Sequence, residues 1–289
     1  MPAVRIDGKA LAEKLRAKVA EDVAAFARAM REPVCLATIL VGDDPASHVY
    51  VGKKHEASHQ AGIESRDHRL PEATPESDVL DLLAELNADD DVDGILVQLP
   101  LPAHMDEPKV IQSVDPDKDV DGFHPINAGR LFLGEPLFVP ATPLGVMAML
   151  EEYRIELKGK EAVVIGRSEI VGKPMAMLLL AEHATVTMCH SRTADLAEHA
   201  RRADVLVAAV GRAGLVTPGM VKRGATVVDV GVNRTEAGLV GDVDPAVVEV
   251  AGHMTPVPGG VGPMTIAMLL RNTLTAAQHR RSGVAAPRS

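Results

Sequence analysis

The sequence predicts an α/β protein of two domains around a cleft, and three observations carry that expectation. Apolar stretches of strand length alternate with stretches of helical periodicity along most of the 289 residues. The alternation is interrupted once, between 115 and 143, by a segment rich in Pro, Gly and Asp, where a domain junction is placed. It then resumes with a strand that runs into a Gly-bounded loop and a helix, the opening of a doubly wound nucleotide-binding unit.

Taken in order, Asp7 stands as an N-cap before a helix in which Ala10, Leu11, Leu15, Val19, Val23, Phe26 and Met30 recur at helical spacing. Residues 34–41 form an unbroken β-type run ending at Gly42, as a strand buried on both faces does. A helix over 45–61 follows, with Gly62 at its C-terminal end. Then come a strand at 63–70, a helix at 75–87 and a strand at 94–100. Beyond the junction the expected strands are 161–165, 184–188, 204–209 and 225–230, with helices at 174–183 and 194–202. A short hairpin is expected between 231 and 244 around Glu236-Ala237-Gly238, and a last helix over about 265–279 before a frayed tail that includes Arg280, Arg281 and Arg288.

Composition narrows the function classes. With 46% hydrophobic and 24% charged residues, the chain can bury a core without a disulfide or metal staple. A net charge of -10, no Trp and only six other aromatic residues argue against nucleic acid as a partner. No apolar run is long enough to span a bilayer, so no membrane partner is expected. Two cysteines, Cys35 and Cys189, make no disulfide framework. Together with the absence of an apolar signal core near Met1, they fit a cytoplasmic protein.

Four patterns bear on chemistry. Gly166-Arg-Ser-Glu-Ile-Val-Gly172-Lys-Pro174 joins a buried strand to a helix, where backbone N–H groups and the helix dipole favour a phosphate. It is neither G-x-G-x-x-G nor a Walker loop, and taken alone it is equally an ordinary strand-to-helix turn. About 20 residues further on, NAD enzymes place a carboxylate on the ribose. Here the strand runs instead into Cys189-His190-Ser191-Arg192-Thr193. Arg192, Ser191 and Arg167 are donors suited to a 2′-phosphate, which favours NADP over NAD; solvated turn residues are the alternative. His55-Glu56-Ala-Ser-His59 has the form of a zinc-protease helix, but Ser65 stands where a third ligand belongs, so no metal is expected. Asp117-Lys-Asp119-Val-Asp121-Gly122 begins like a calcium loop, yet Ala128 occupies the position of the bidentate Glu. These acids, with Asp115, fit either a solvated loop or one carboxylate placed in a cleft. Lastly, Tyr50 and Lys54 share a helix face at i and i+4. By themselves they read as surface packing; a platform for a flat substrate beside a catalytic amine is the sharper reading.

The same segments, in order and over nearly the whole chain, resemble one family: the bifunctional methylenetetrahydrofolate dehydrogenase/cyclohydrolase, the bacterial FolD type. The matching stretches are Gly42 to Lys54, Gly94 to Pro102, Asp115 to Gly122, Ile126 to Gly129, Pro140 to Gly145, Gly166 to Pro174 and Pro256 to Thr265. Two positions depart from the family's pattern: His55-Glu56 follows Lys54 where a basic residue is common, and Ala141 stands where Cys is common.

The resemblance implies oxidation of 5,10-methylenetetrahydrofolate to 5,10-methenyltetrahydrofolate with NADP+, then hydrolysis to 10-formyltetrahydrofolate. It implies Lys54, Gln98, Tyr50 and Asp121 as the catalytic set, with Tyr50 along the aminobenzoate ring and Asp121 on the pterin. Lys54 then lies near the one-carbon bridge, oriented by Gln98. Gly262, Pro263 and Thr265 join Tyr50 and Asp121 in binding the folate, and Gly259-Gly260-Val-Gly262 is a loop that lets the backbone approach closely. Gly166, Arg167, Ser168, Ile170, Val171, Gly172, Ser191, Arg192 and Val232 are the expected NADP contacts. Residues 1–139 with a returning C-terminal helix at 266–289 form the expected substrate domain, and 140–265 the Rossmann-like NADP domain, through which a homodimer is expected. Three rivals remain at this level: a shikimate- or amino-acid-dehydrogenase-like enzyme, a non-catalytic NADP sensor and a zinc hydrolase.

Overall fold

The computed structural model describes residues 2–236 and 238–282. The expected tail with Arg288, residues 283–289 of the expected terminal helix, and Ala237 of the hairpin lie outside the described residues. Along the first half run β1 (Val4–Arg5), α1 (Gly8–Met30), β2 (Val34–Val41), α2 (Pro45–Gln60), β3 (Ile63–Leu70), α3 (Glu76–Ala88), β4 (Gly94–Val97), α4 (Glu107–Gln112) and α5 (Pro125–Phe132). There follow α6 (Ala141–Glu152), β5 (Glu161–Ile165), α7 (Gly172–Ala181), β6 (Thr185–Cys189), α8 (Leu196–Arg202), β7 (Val205–Ala208), β8 (Thr226–Asp229), β9 (Asn233–Thr235), β10 (Gly238–Val240), β11 (His253–Met254) and α9 (Val261–Ser282). Among the described residues, no helix is long and apolar enough to cross a membrane.

Two compact units result, Met1–Glu13 with Pro140–Thr265 and Lys14–Val139 with Ile266–Ser289. Residues 1–13 go with the later half because β1 pairs with β11 and extends its sheet. A two-residue strand has no periodicity that would reveal this.

In the unit that begins at Lys14, β2 is the centre of a parallel sheet of order β3-β2-β4. All eight β2 residues are buried, as its unbroken apolar run requires. Leu36 to Ile39 pair with Gly94 to Val97, and Gln98 N donates to Ile39 O at 2.8 Å, so the backbone remains tied one residue past β4. The sheet reaches further through a bridge between Ile95 and Asp119, with Ile95 N donating to Lys118 O at 2.7 Å. Gly94 permits that approach, since a Cβ there would press on the Val120 side chain. Val79, Leu83 and Leu86 of α3 pack with Ile95 and Val97 into one apolar core. The α9 residue Asn272 donates to Val120 O at 2.8 Å and Val139 O at 3.0 Å.

In the other unit, six parallel strands take the order β1-β11-β8-β7-β5-β6. The order reverses beside β5, and in such sheets ligands bind past the carboxyl ends of the strands at this reversal. The hairpin appears as the antiparallel pair β9–β10.

Several boundaries differ from the sequence reading. The strand expected at 94–100 stops at Val97. The helices α7 and α9 start at Gly172 and Val261, earlier than the expected 174 and 265; Pro174 and Pro263 sit in first turns, where a missing N–H costs nothing. Consequently Gly262 belongs to a helix turn and not to the preceding loop.

Candidate active site

Every strand of the three-stranded sheet ends on the same edge, and four of the expected residues follow from that edge. The helix α2 begins after β2, with Asp44 accepting from Ser47 N at 2.8 Å and Pro45 in the first turn. It carries Tyr50 and Lys54 one turn apart. Gln98 follows β4, and Asp121 follows the Ile95–Asp119 bridge.

Lys54 is buried, and its Nζ donates to Gln98 Oε1 at 3.1 Å. The carboxamide is held in that sense because Gln98 Nε2 donates to Leu99 O at 2.7 Å, leaving only its oxygen for the amine. The Lys54 Nζ also lies over the Tyr50 ring, 5.0 Å from its centroid, which favours the ammonium. Burial nevertheless dominates and lowers the Lys54 pKa; the Asp121 charge opposes the shift. Burial likewise pushes the Asp121 carboxyl up to about 6, with Lys54 pulling it down and Asp119 pushing it further up. Burial thus moves both groups toward their neutral forms, the amine downward and the carboxyl upward, which is the setting in which a buried lysine can act as a proton acceptor.

The four acids of the 115–121 stretch separate in space and role. Asp119 is buried and accepts from Phe123 N at 3.2 Å, His124 N at 2.8 Å and Asn127 Nδ2 at 2.9 Å, anchoring the start of α5. Asp115 accepts from Asp117 N at 2.8 Å within its own turn. Only Asp121 is left half-buried beside the amine. Asp119 and Asn127 are thus supports to which the sequence reading gave no role of their own, although Asp119 stood among the alternating acids and Asn127 within the Ile126 to Gly129 stretch.

The histidines of the zinc-like pattern go elsewhere. His55 Nδ1 lies 3.1 Å from Ser65 Oγ and 3.1 Å from Asp67, and His59 is exposed. Glu56 is exposed too and accepts from Gln60 Nε2 at 3.2 Å; it plays no part in the Lys54 shift.

The second group of expected residues belongs to the six-stranded unit. Gly166 follows β5 with φ +126°, and a Cβ there would overlap the Ala209 carbonyl oxygen. Only glycine lets this loop turn so close to the end of β7. A pocket of about 380 Å³ opens there, lined by Gly166, Arg167, Ser191 and also by His190, Thr193 and Arg212, which were not anticipated. Two guanidinium-bearing residues, two hydroxyl-bearing residues and a side-chain-free turn suit a sugar phosphate. Arg192 is exposed and does not line this pocket; its backbone N donates to His190 Nδ1 at 3.1 Å. Ser168 Oγ accepts from Val171 N at 3.2 Å and Gly172 N at 3.3 Å, so the N–H groups expected to meet a phosphate are engaged by the loop's own hydroxyl. Ile170 and Val232 are exposed. In this same unit, Gly262 and Pro263 lie on the first turn of α9, and Thr265 Oγ1 is 2.9 Å from Thr142 Oγ1.

Comparison with known proteins agrees with this division of labour. A family model described as the catalytic domain of tetrahydrofolate dehydrogenase/cyclohydrolase matches residues 6–121, and one described as its NAD(P)-binding domain matches 140–281. The bifunctional protein FolD 3 of Rhizorhabdus wittichii is 62% identical over 289 residues, covering 98% of this chain and 95% of that protein. The solved bifunctional FolD enzyme from Campylobacter jejuni is 49% identical with a TM-score of 0.94, over 96% of this chain and 99% of that one. The Trypanosoma brucei dehydrogenase-cyclohydrolase, solved with NADP and an inhibitor, is 39% identical with a TM-score of 0.92, over 99% of this chain and 100% of that one. With matches that span both halves in order, the chain belongs to the tetrahydrofolate dehydrogenase/cyclohydrolase family.

Proposed function

We propose that Lys54, Gln98, Tyr50 and Asp121 form the centre at which this bifunctional enzyme oxidises 5,10-methylenetetrahydrofolate to 5,10-methenyltetrahydrofolate and hydrolyses that product to 10-formyltetrahydrofolate. The observation that carries the reading is the buried Lys54 amine, held by an oriented carboxamide and lowered in pKa by its surroundings; the other buried lysine, Lys118, spends its Nζ on Leu86 O and Asp89 O. Tyr50 offers its ring to the aminobenzoate, where contact area comes at low entropy cost. Asp121, largely ionised at neutral pH, accepts a pair of hydrogen bonds from the pterin's amino group and ring nitrogen.

The methenyl compound is a cation, and its charge near Lys54 further favours the neutral amine. As the water oxygen bonds to the one-carbon unit, Lys54 Nζ takes the water's proton, directly or through a second water. The new hydroxyl then gives up its proton as the carbonyl forms, the ring nitrogen gains a proton as its bond to the one-carbon unit breaks, and the formyl group stays on the other nitrogen, with one proton released overall. Gln98 keeps the Nζ aimed and adds no charge that would compete with the cation. Gly262, Pro263 and Thr265 complete the folate contacts in this reading. In Lys54→Met, hydrolysis of the methenyl compound falls by about 10²–10⁴-fold while folate binding remains. Hydrolysis at the wild-type rate in that variant would refute the role.

When bound, the dinucleotide supplies a nicotinamide that accepts the hydride. NADP is the form this chain uses: the turn after β6 carries no carboxylate, Arg167 and Ser191 line the pocket with Arg212, and the T. brucei relative was solved with NADP. Ser168, Ile170, Val171, Gly172, Arg192 and Val232 make up the rest of the cofactor contacts in this reading. Steady-state kinetics with the two dinucleotides should give a much lower kcat/KM for NAD+; equal values would rule this out. The chain works in the cytoplasm as a homodimer paired through the NADP unit.

A further inference from the structure

The six-stranded unit buries two carboxylates that the chemistry above does not use. Asp229 closes β8 and accepts from Gly231 N at 3.1 Å, Asp242 N at 2.9 Å and Val243 N at 3.0 Å. Asp242 is fully buried and accepts four bonds. Its Oδ2 takes Val210 N at 2.7 Å and Gly211 N at 3.0 Å; its Oδ1 takes Arg212 N at 2.7 Å and Asn233 Nδ2 at 3.0 Å. Three of these donors are successive backbone N–H groups of one turn, an arrangement that favours an anion. Four donors saturate a carboxylate, whereas a carboxamide would set its own NH2 against some of them. Cβ atoms at Gly231 and Gly241 would overlap the carboxylates of Asp242 and Asp229, so the packing around both groups is close.

The donors to Asp242 belong to the loop after β7 and to Asn233, which ends the loop after β8 as the first residue of β9. Val210 and Arg212 line the pocket that also holds Gly166, Arg167 and Ser191. Gly231 and Asn233 flank Val232, an exposed cofactor candidate. These loops follow β7 and β8 on the carboxyl edge, next to the reversal of strand order. Hydrogen bonds to the sheet carry their backbones only as far as Ala209 N and Val230 N. Beyond those points the Asp242 side chain is what joins one loop to the other.

We propose that Asp242 is a positioning residue for the cofactor, tying the loop after β7 to the loop after β8 so that both are set before the dinucleotide arrives. The proposal rests on the assignment of NADP to this unit. Preformed walls spare the ligand the cost of ordering them, so the loss should appear in affinity more than in turnover.

The test uses Asp242→Asn and Asn233→Ala in the full chain. NADPH affinity is read by nucleotide fluorescence, and amide hydrogen exchange at Val210, Gly211 and Arg212 is read on protein without nucleotide. Asp242→Asn should weaken NADPH binding by at least about tenfold, as the loss of charge-assisted bonds implies. It should also speed exchange of the three amides, and raise the KM for NADP+ more than it lowers dehydrogenase kcat. Hydrolysis of the methenyl compound, which needs no dinucleotide, should stay at the wild-type level; a variant that was merely less stable would lose both activities together. Asn233→Ala removes one donor and should weaken binding less. NADPH affinity within about twofold of wild type in folded Asp242→Asn overturns the proposal. If that variant does not fold, unchanged affinity in Asn233→Ala overturns it, as does exchange of the three wild-type amides at the rate of an unprotected loop. Wild-type protein that fails to bind NADPH removes the cofactor assignment and this proposal with it, whereas wild-type binding left intact by the substitutions removes the proposal alone.

Discussion

Asp121 and Asp119 are two residues apart, equally acidic in sequence and opposite in use. The Asp119 carboxylate is consumed by two backbone N–H groups and an Asn side chain. Asp121, with its pKa pushed to about 6 by burial, remains available to a ligand. The sign of the pH effect follows. Above about 6 the group is ionised and accepts the paired bonds of a pterin; below it the group is protonated and one acceptor becomes a donor. The kcat/KM for methylenetetrahydrofolate should therefore be flat above that value and fall about tenfold per pH unit beneath it. Asp121→Asn should be weak at every pH and lose that limb of the profile. An unchanged acid limb in the variant would assign the titration to another group. Motif likeness singled out Asp121; its spacing alone did not, because acids at alternate positions can equally sit in solvent.

At the scale of elements, β2 and β5 were legible to the residue because uninterrupted apolar runs that stop at Gly42 and Gly166 leave little choice of end, and β3, polar between Ile63 and Leu70, was bounded by Gly62 and Pro71. The short helices α4, α5 and α6 were not. Pro, Gly and Thr lower their local propensity, and other contacts offset this: across the chain, Gly145 of α6 sits where a Cβ would press on Met264, and locally His124 caps α5 by accepting from Ile126 N at 3.1 Å. The α9 helix is fastened by Arg281, which lies 2.7 Å from the buried Asp93, while Cys35 N donates to the same carboxylate at 2.9 Å. Burial raises the Asp93 pKa, and Arg281 and Arg280 offset part of that cost. Arg281→Ala should destabilise the protein by about 3 kcal/mol, the low end for an orphaned buried charge, because Arg280 stays 3.9 Å away. Chemical unfolding measures this; a change within about 0.5 kcal/mol would show that the clasp contributes little.

For the molecule as a whole, the proposed homodimer has a physical basis in the NADP unit. Leu239 on the β9–β10 hairpin is 43% exposed, and an apolar recess of about 660 Å³ lies close by, lined by Val240, Val243, Val248 and Met254 among others. Equilibrium ultracentrifugation should give twice the 30.6 kDa mass of the chain, and Leu239→Asp should shift it toward monomer. A monomer at every concentration would remove the pairing. The sequence by itself determined the α/β class, the alternation of elements and the family, because periodicity and ordered motifs are local properties of a chain. It also identified the residues that meet at the amine, through likeness to other members. What only the tertiary structure decided was which of several similar groups is spent on holding the fold: Asp119 and Asp242 inside it, Asp121 beside the amine, Ser168 closing its own loop, β1 joined to a distant sheet. Burial, and the donors around Asp242, come from remote parts of the chain, while the nearer donors of Asp119 and Ser168 converge only in a loop geometry that no residue pattern prints.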